Sequence, residues 1–218
     1  MNRHKTVLLA LGYYFSDMVR GVVTYARKNN WRIVFLRGVA PEEGLKQWRG
    51  EGVITSLSED SLTCRSWGST KIVSLIRFKH SLLPVSLVRE NDYEIGKIAA
   101  EFFLRCGHVN FAAYSDTKRL DGFRDTLKNY GYSCADLRPS ESVWRPERRI
   151  VEWLLSLPKP CAVICETDWD GAELLALAKW NNIDVPKELS ILGVGNDTQI
   201  CDTSDLTLSS IDSRLYEI

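Results

Sequence analysis

The 218-residue sequence has no long hydrophobic run and no excess of charge of either sign. Its first apolar run, Val7 to Leu11, is too short for the core of a signal peptide or for a membrane span. Lys and Arg total 28, and Asp and Glu also total 28, so the chain lacks the surplus positive charge with which nucleic-acid binders neutralise phosphates. These absences predict a cytoplasmic protein without a membrane partner that contacts DNA poorly by itself.

Residue types that carry catalysis or bind metals are sparse. The three histidines are far apart, and none has a Cys or Ser partner at a spacing typical of a triad or a metal site. Among six cysteines only Cys161 and Cys165 lie close together, and no further ligands stand near them, so reduced core thiols are the favoured interpretation. The sequence also lacks the GxxxxGK(S/T) phosphate loop and the paired glycines of a dinucleotide fingerprint. We therefore expect no catalytic residue, no metal and no cofactor.

The most informative segment is a strand, a helix and a second strand between residues 153 and 197. Cys161 to Cys165 is an unbroken apolar run, which is typical of a strand buried on both faces, and Leu189 to Val194 is a second such run. Between them, apolar residues from Leu174 to Ile183 keep helical spacing, as a parallel connection requires. Each strand ends in a polar loop. Ligands of open parallel sheets bind at those carboxyl ends.

The rest of the chain repeats this alternation of strands and helices. Its length predicts two lobes of about 100 residues each. Residues 82–92 are predicted to be an extended connector, and Ser209 to Ile211 a second one. We expect an N-terminal lobe at residues 1–84, a C-terminal lobe at 85–207, and a connector at 208–218 that returns to the N-terminal lobe.

Several stretches, spread from residue 14 to residue 212, resemble the effector-binding domain of LacI/GalR-type regulators. The version that xylose-operon regulators place before an AraC-type DNA-binding domain is the most similar. The resemblance depends on the order and spacing of YFSDMVRGVVTYARKNNW, LKQWRGEGVI, PVSLVRENDYEIGKIAAEFFLRCGHVNFAAYSD, RLDGFRDTLKNYGY, WLLSLPKPCAVICETD, VPKELSILGVGND and LTLSSID. It implies a periplasmic-binding-protein-like type I fold of the α/β class, with two doubly wound parallel-sheet lobes around a ligand cleft.

The resemblance also implies a sugar-binding arginine. In the family this arginine stands three residues before a Gly-aromatic pair, and here Arg119 precedes Gly122 and Phe123 in the same way. A guanidinium offers five N–H donors in a fixed plane, which suits neighbouring hydroxyls of a sugar. The alternative is a solvated arginine at the start of a helix.

Asp168 matches a polar pair in the family's loop after the corresponding strand. A carboxylate at this position could accept two hydroxyl hydrogen bonds from a sugar, or it could cap the helix that begins near Asp170. The neighbouring Trp169 is a candidate to pack against the apolar face of a sugar ring.

The loop after the last C-terminal strand departs from the family, which usually has an Asp where this chain has Gly195. Asn196 and Asp197 could bind the sugar instead, or the loop could serve only as a turn. We expect Gly195→Asp to strengthen pentose binding unless Gly195 has a positive φ, where a β-carbon adds strain. Phe15 and Ser16 replace a Gly-Arg pair at the mouth of the first helix and are further candidate ligand contacts.

The resemblance implies a sugar-responsive transcriptional regulator that senses a pentose such as xylose by lobe closure. Its partners would be a sugar effector, a second copy in a homodimer, and operator DNA through a DNA-binding module separate from these residues. The alternative is a sugar-binding component of a transport system with the same fold. An enzyme is disfavoured because no nucleophile, base and orienting group can be placed together.

Overall fold

The computed structural model describes residues 4–12, 16–36, 41–78, 83–115, 117–137, 147–202 and 207–217. Within them the chain forms two compact units. The first comprises Met1–Glu90 with Arg214–Ile218, and the second comprises Asn91–Ser213. Each unit contains one five-stranded parallel sheet with helices, which confirms the expected α/β class.

The first unit has the strand order β2-β1-β3-β4-β5. Its strands are β1 (Thr6–Ala10), β2 (Arg32–Phe35), β3 (Gly52–Thr55), β4 (Lys71–Ser74) and β5 (Val85–Leu87). Its helices are α1 (Ser16–Lys28), α2 (Pro41–Gln47), α3 (Glu59–Leu62) and a 3-10 helix (Leu215–Glu217). Apolar side chains of the central strands pack with those of the helices and loops into one core, which includes Leu8, Val53, Ile72, Leu45 and Trp67.

The 3-10 helix packs against α1. A β-carbon at Gly21 of α1 would overlap the carbonyl oxygen of Tyr216, so the two backbones are in direct contact. The guanidinium of Arg20 lies 5.0 Å from the centre of the Tyr216 ring. Only glycine permits this approach at position 21.

The second unit has the strand order β10-β9-β8-β6-β7. Its strands are β6 (Phe111–Tyr114), β7 (Cys134–Leu137), β8 (Cys161–Cys165), β9 (Leu189–Val194) and β10 (Ser209–Ile211). Its helices are α4 (Asp92–Arg105), α5 (Lys118–Asn129), α6 (Glu147–Ser156), α7 (Asp168–Trp180) and α8 (Thr198–Cys201).

The central strand β8 is buried along its whole length because helices cover both faces of its sheet. Cys161, Val163 and Cys165 belong to one core cluster, and the alternate residues Ala162 and Ile164 belong to the other. This alternation explains why the sequence shows a continuous apolar run instead of a polar and apolar pattern.

Helices α4 and α5 cross with their backbones in contact. A β-carbon at Gly96 of α4 would overlap the carbonyl oxygen of Arg119 on α5, and one at Gly122 of α5 would overlap that of Tyr93 on α4. Because neither helix can carry a side chain at these two positions, the crossing fixes the first turns of both helices against each other.

Three segments differ from the sequence-based expectation. Val85–Leu87, expected to be a connector at the start of the second lobe, pairs in register with β4 and lies in the unit that ends at Glu90. Ser209–Ile211, also expected to be a connector, pairs with β9. Cys134–Leu137 forms an edge strand that the sequence did not predict, because the exposed Ala135 and Asp136 interrupt any apolar pattern.

Candidate functional site at the sheet switch point

The second unit's sheet reverses its winding between β6 and β8. The chain passes from β6 to β7 on one side and from β8 to β9 on the other, while β6 and β8 themselves are neighbours. The loops that leave their carboxyl ends therefore diverge and open a crevice, which is where open parallel sheets bind ligands. Ser115 and Glu166 are the first residues of these two loops.

Polar side chains cross-link the two loops. Ser115 is fully buried, and its Oγ lies 3.3 Å from Oε2 of Glu166 and 3.1 Å from Oγ1 of Thr117. Thr117 caps the N-terminus of α5 by accepting a hydrogen bond from the backbone N–H of Arg119. Hydroxyl and carboxylate groups of the two loops thus join the carboxyl ends of β6 and β8.

Arg119 lies at this edge and is buried, so it is not the solvated arginine of the alternative interpretation. Its Nε is 3.0 Å from Oδ1 of Asp92, and Nη1 donates to the backbone carbonyl of Glu166. The guanidinium therefore joins the start of α4, through an ion pair, to the carboxyl end of β8, through a hydrogen bond.

Asp168 is the first residue of α7 and is only 2% exposed. Its Oδ1 accepts from Oγ of Ser210 at 2.5 Å, and its Oδ2 accepts from the backbone N–H of Asp197 at 2.8 Å. Asp168 thereby joins the start of α7 to β10 and to the loop after β9.

Burial raises the pKa of the Asp168 carboxyl, and the hydrogen bonds from Ser210 and from the Asp197 backbone oppose that rise. Burial and the negative charge of Asp168 also raise the pKa of the Cys201 thiol, to about 11. Cys201 is therefore a neutral thiol at physiological pH and not a thiolate nucleophile.

The cap of α7 is Thr167, not Asp168. The Thr167 side chain accepts from the backbone N–H of Asp170, and the Asp170 side chain accepts from the backbone N–H of Thr167 at 3.1 Å, which together form a capping box. The interpretation of Asp168 as a helix cap was wrong. Asp168 instead sits inside the first turn, where the helix dipole favours a negative charge.

The loop after β9 turns around the Asp168 carboxylate. Gly195 has a φ of +129°, and a β-carbon there would lie 3.0 Å from Oδ2 of Asp168. Asn196 is exposed, has a φ of +55°, and donates its backbone N–H to Oγ of Ser210. Asp197 caps the short helix α8 by accepting from the backbone N–H of Gln199. The positive φ at Gly195 meets the condition under which an added carboxylate is expected to cause strain.

The other predicted ligand contacts are Trp169, Ser16 and Phe15. Trp169 is 64% exposed on the first turn of α7, beside Asp168. Ser16 begins α1 in the first unit. Phe15 lies outside the described residues.

The first unit has a comparable edge of its own. Its winding reverses between β1 and β3, and there the backbone N–H of Gly12 donates to Oγ of Ser56 at 3.0 Å. Ser56 and the neighbouring Thr55 are both buried. Ser16 stands four residues after Gly12 in the sequence, so this candidate residue follows a switch point of the sheet.

Four residues of these networks were missed by sequence reasoning: Asp92, Ser115, Glu166 and Ser210. Ser115 and Glu166 directly follow buried strands, and that position is a signal that could have identified them. Asp92 and Ser210 stand in segments that were expected to be connectors, and only the fold brings them to Arg119 and Asp168.

A family comparison supports this architecture. Residues 79–218 match the family described as the periplasmic binding protein-like domain. The chain belongs to this family. The match covers the whole second unit of this periplasmic binding protein-like domain, including Arg119, Asp168 and the loop after β9.

Relatives and solved structures agree with this assignment. The domain is 25% identical over 231 residues to the xylose operon regulatory protein of Escherichia coli K12, covering 96% of this chain and 59% of that protein. The structure of a xylose-binding transcription activator superposes with a TM-score of 0.77 at 20% identity, covering 99% of this chain and 61% of the other.

A periplasmic binding protein/LacI transcriptional regulator from Alkaliphilus metalliredigens, solved with D-xylulofuranose, superposes with a TM-score of 0.71 at 16% identity, covering 97% of this chain and 87% of that chain. The resemblance to effector domains of LacI-type regulators is thus confirmed.

Among the residues that the structure describes, no helix is both long enough and apolar enough to cross a membrane. Likewise, no group of three or more His, Cys, Asp or Glu side chains in the described ranges is placed to hold a metal ion.

Proposed function

We propose that this domain is the effector-binding part of a sugar-responsive transcriptional regulator and that its effector is a pentose such as xylose. The observation that carries the proposal lies at the switch-point edge of the second unit. There this periplasmic binding protein-like domain has a buried arginine, Arg119, beside two polar loops. The relatives named for xylose or solved with a pentose support that class of sugar.

The chemistry of the edge suits a polyhydroxyl ligand. Arg119 carries a planar set of N–H donors that two protein groups already orient, so little side-chain entropy would be lost on binding. Asn196 and Asp197 supply amide and carboxylate groups on the neighbouring loop. The exposed ring of Trp169 can cover the apolar face of a sugar.

Asp168 has a structural role before any contact with the sugar. Because its two oxygens already accept from Ser210 and Asp197, its first role is to shape the loop that carries Asn196 and Asp197. Phe15 and Ser16 remain predicted contacts from the first unit.

Regulation would proceed by lobe closure. A sugar that binds the closed state more tightly than the open one shifts the population toward closure, and the changed arrangement alters how a homodimer presents its DNA-binding modules to the operator. The balance of 28 basic and 28 acidic residues favours DNA contact through a separate module. No catalytic step is part of the proposal.

Isothermal titration of the purified chain with D-xylose, L-arabinose, D-ribose and D-glucose tests it. We expect a pentose to bind, and we expect Arg119→Met to weaken that binding about tenfold or more, since a hydrogen bond to a charged group contributes about 1.5–3 kcal/mol. Arg124→Met is the matched control, because Arg124 lies on the same helix and pairs with Asp136 away from the switch point. Absence of binding by all four sugars, or equal losses in both variants, would contradict the proposal.

A further inference from the structure

The ion pair between Asp92 and Arg119 is deeply buried, with both side chains 8% exposed. Removing two charged groups from water is costly unless their geometry is well matched and further groups solvate them. The carbonyl of Glu166 is such a group on the arginine side. On the aspartate side, the N-terminus of α4 favours a carboxylate at its first residue.

The backbone holds the two partners at a set separation. Asp92 and Arg119 stand in the first turns of α4 and α5, and these turns are in contact where Gly96 meets the carbonyl of Arg119 and Gly122 meets that of Tyr93. Asn91 caps α4 by accepting from the backbone N–H of Glu94 at 3.2 Å, which fixes the start of the helix. Asp92 is therefore placed by its helix and does not depend on Arg119 for its position.

We infer that Asp92 is the positioning residue of the sugar site: it holds the Arg119 guanidinium in the orientation that meets the effector. The inference rests on the proposed contact between Arg119 and the sugar. Asp92 itself does not touch the ligand in this account. Its effect on affinity passes through the arginine alone.

The first experiment observes the arginine without any ligand. In a proton-nitrogen correlation spectrum of the full chain, a buried and paired Arg119 Nε–H should exchange slowly with water and give a resolved signal near neutral pH. Asp92→Asn keeps the size of the side chain but removes its charge, so this signal should shift strongly or disappear. Leu127→Val, a buried apolar change on the same helix, should leave it in place.

The second experiment is a double-mutant cycle on D-xylose affinity. We expect Asp92→Asn to weaken binding about tenfold in the parent chain and to have no further effect in an Arg119→Met background, because the residue it positions is then absent. Asp92→Glu, which restores the charge, should recover part of the affinity. A purely structural role would lower the stability in both backgrounds and leave the affinity of the folded fraction unchanged, as expected for Leu127→Val.

The two proposals can fail separately. An unchanged Arg119 signal in Asp92→Asn overturns the positioning role, whether or not a sugar binds. So does an equal loss of xylose affinity from Asp92→Asn in both backgrounds. If D-xylose does not bind the parent chain but the signal depends on Asp92, the orientation of the arginine is supported and the sugar assignment is wrong.

Discussion

Substitution of Gly195 tests whether the loop after β9 could carry the acid that the family resemblance implies at this position. The φ of +129° is a conformation that almost only glycine adopts, and forcing another residue into it costs about 1–3 kcal/mol. The new β-carbon would also stand 3.8 Å from the carboxyl carbon of Asp168. Two carboxylates about 5 Å apart repel by roughly 3 kcal/mol at an effective dielectric constant near 20.

Gly195→Ala should therefore lower the free energy of unfolding by about 1–3 kcal/mol, and Gly195→Asp by about 4–6 kcal/mol. Urea titration at pH 7, followed by circular dichroism, measures both. Gly131→Ala is the control, because Gly131 has a φ of +81° with no atom within 4 Å of the added carbon. We expect that control to cost only about 1 kcal/mol.

We also expect that Gly195→Asp does not strengthen pentose binding, since a distorted loop would displace Asn196 and Asp197. Wild-type stability in Gly195→Asp, or a pentose affinity higher than that of the parent chain, would refute it. Equal costs for Gly195→Ala and Gly195→Asp would show that repulsion from Asp168 is absent.

Three further changes have defined outcomes. Because burial raises the pKa of Asp168, the folded chain keeps this proton at pH values where the unfolded chain has lost it. The free energy of unfolding of the parent chain, relative to that of Asp168→Asn, should thus fall as the pH rises from about 3.9 through the raised pKa. Urea titrations across that pH range measure this difference. A difference that does not change with pH would mean that the pKa shift is absent. Thr167→Ala should lower the free energy of unfolding by about 1 kcal/mol through loss of the α7 cap, whereas Thr167→Ser should retain most of it in the same assay. Gly96→Ala should lower the melting temperature although alanine favours helices, because its methyl group would overlap the Arg119 carbonyl; a raised melting temperature would mean that α4 and α5 can separate without cost.

Local patterns in the chain were sufficient for the fold class. The apolar run from Cys161 to Cys165 predicted a strand buried on both faces, and the structure places that strand at the centre of the second sheet. Such patterns are reliable because a strand covered by helices on both faces must be apolar at every position. Edge strands have no such requirement. Cys134–Leu137 was missed, and Val85–Leu87 and Ser209–Ile211 were mistaken for connectors, for that reason.

The candidate site was also predicted only in part from the sequence. The order of motifs pointed to Arg119 and Asp168, and the polar loops after buried strands pointed to the edge on which they lie. Which groups bind these two side chains was decided only by the tertiary structure. Asp92 is 27 residues before Arg119, and Ser210 is 42 residues after Asp168, so no local pattern links them.

The tertiary structure also decided the role of the Asp168 carboxylate. From the sequence, Asp168 could cap a helix or bind a sugar, because a carboxylate accepts hydrogen bonds in either setting. Its burial beside Ser210 and the Asp197 amide shows a third role, in which it joins three elements of the second unit. The sequence determines which residues alternate between core and surface, whereas the partners of a buried polar group depend on which strands become neighbours, and that follows from the packing of the whole sheet.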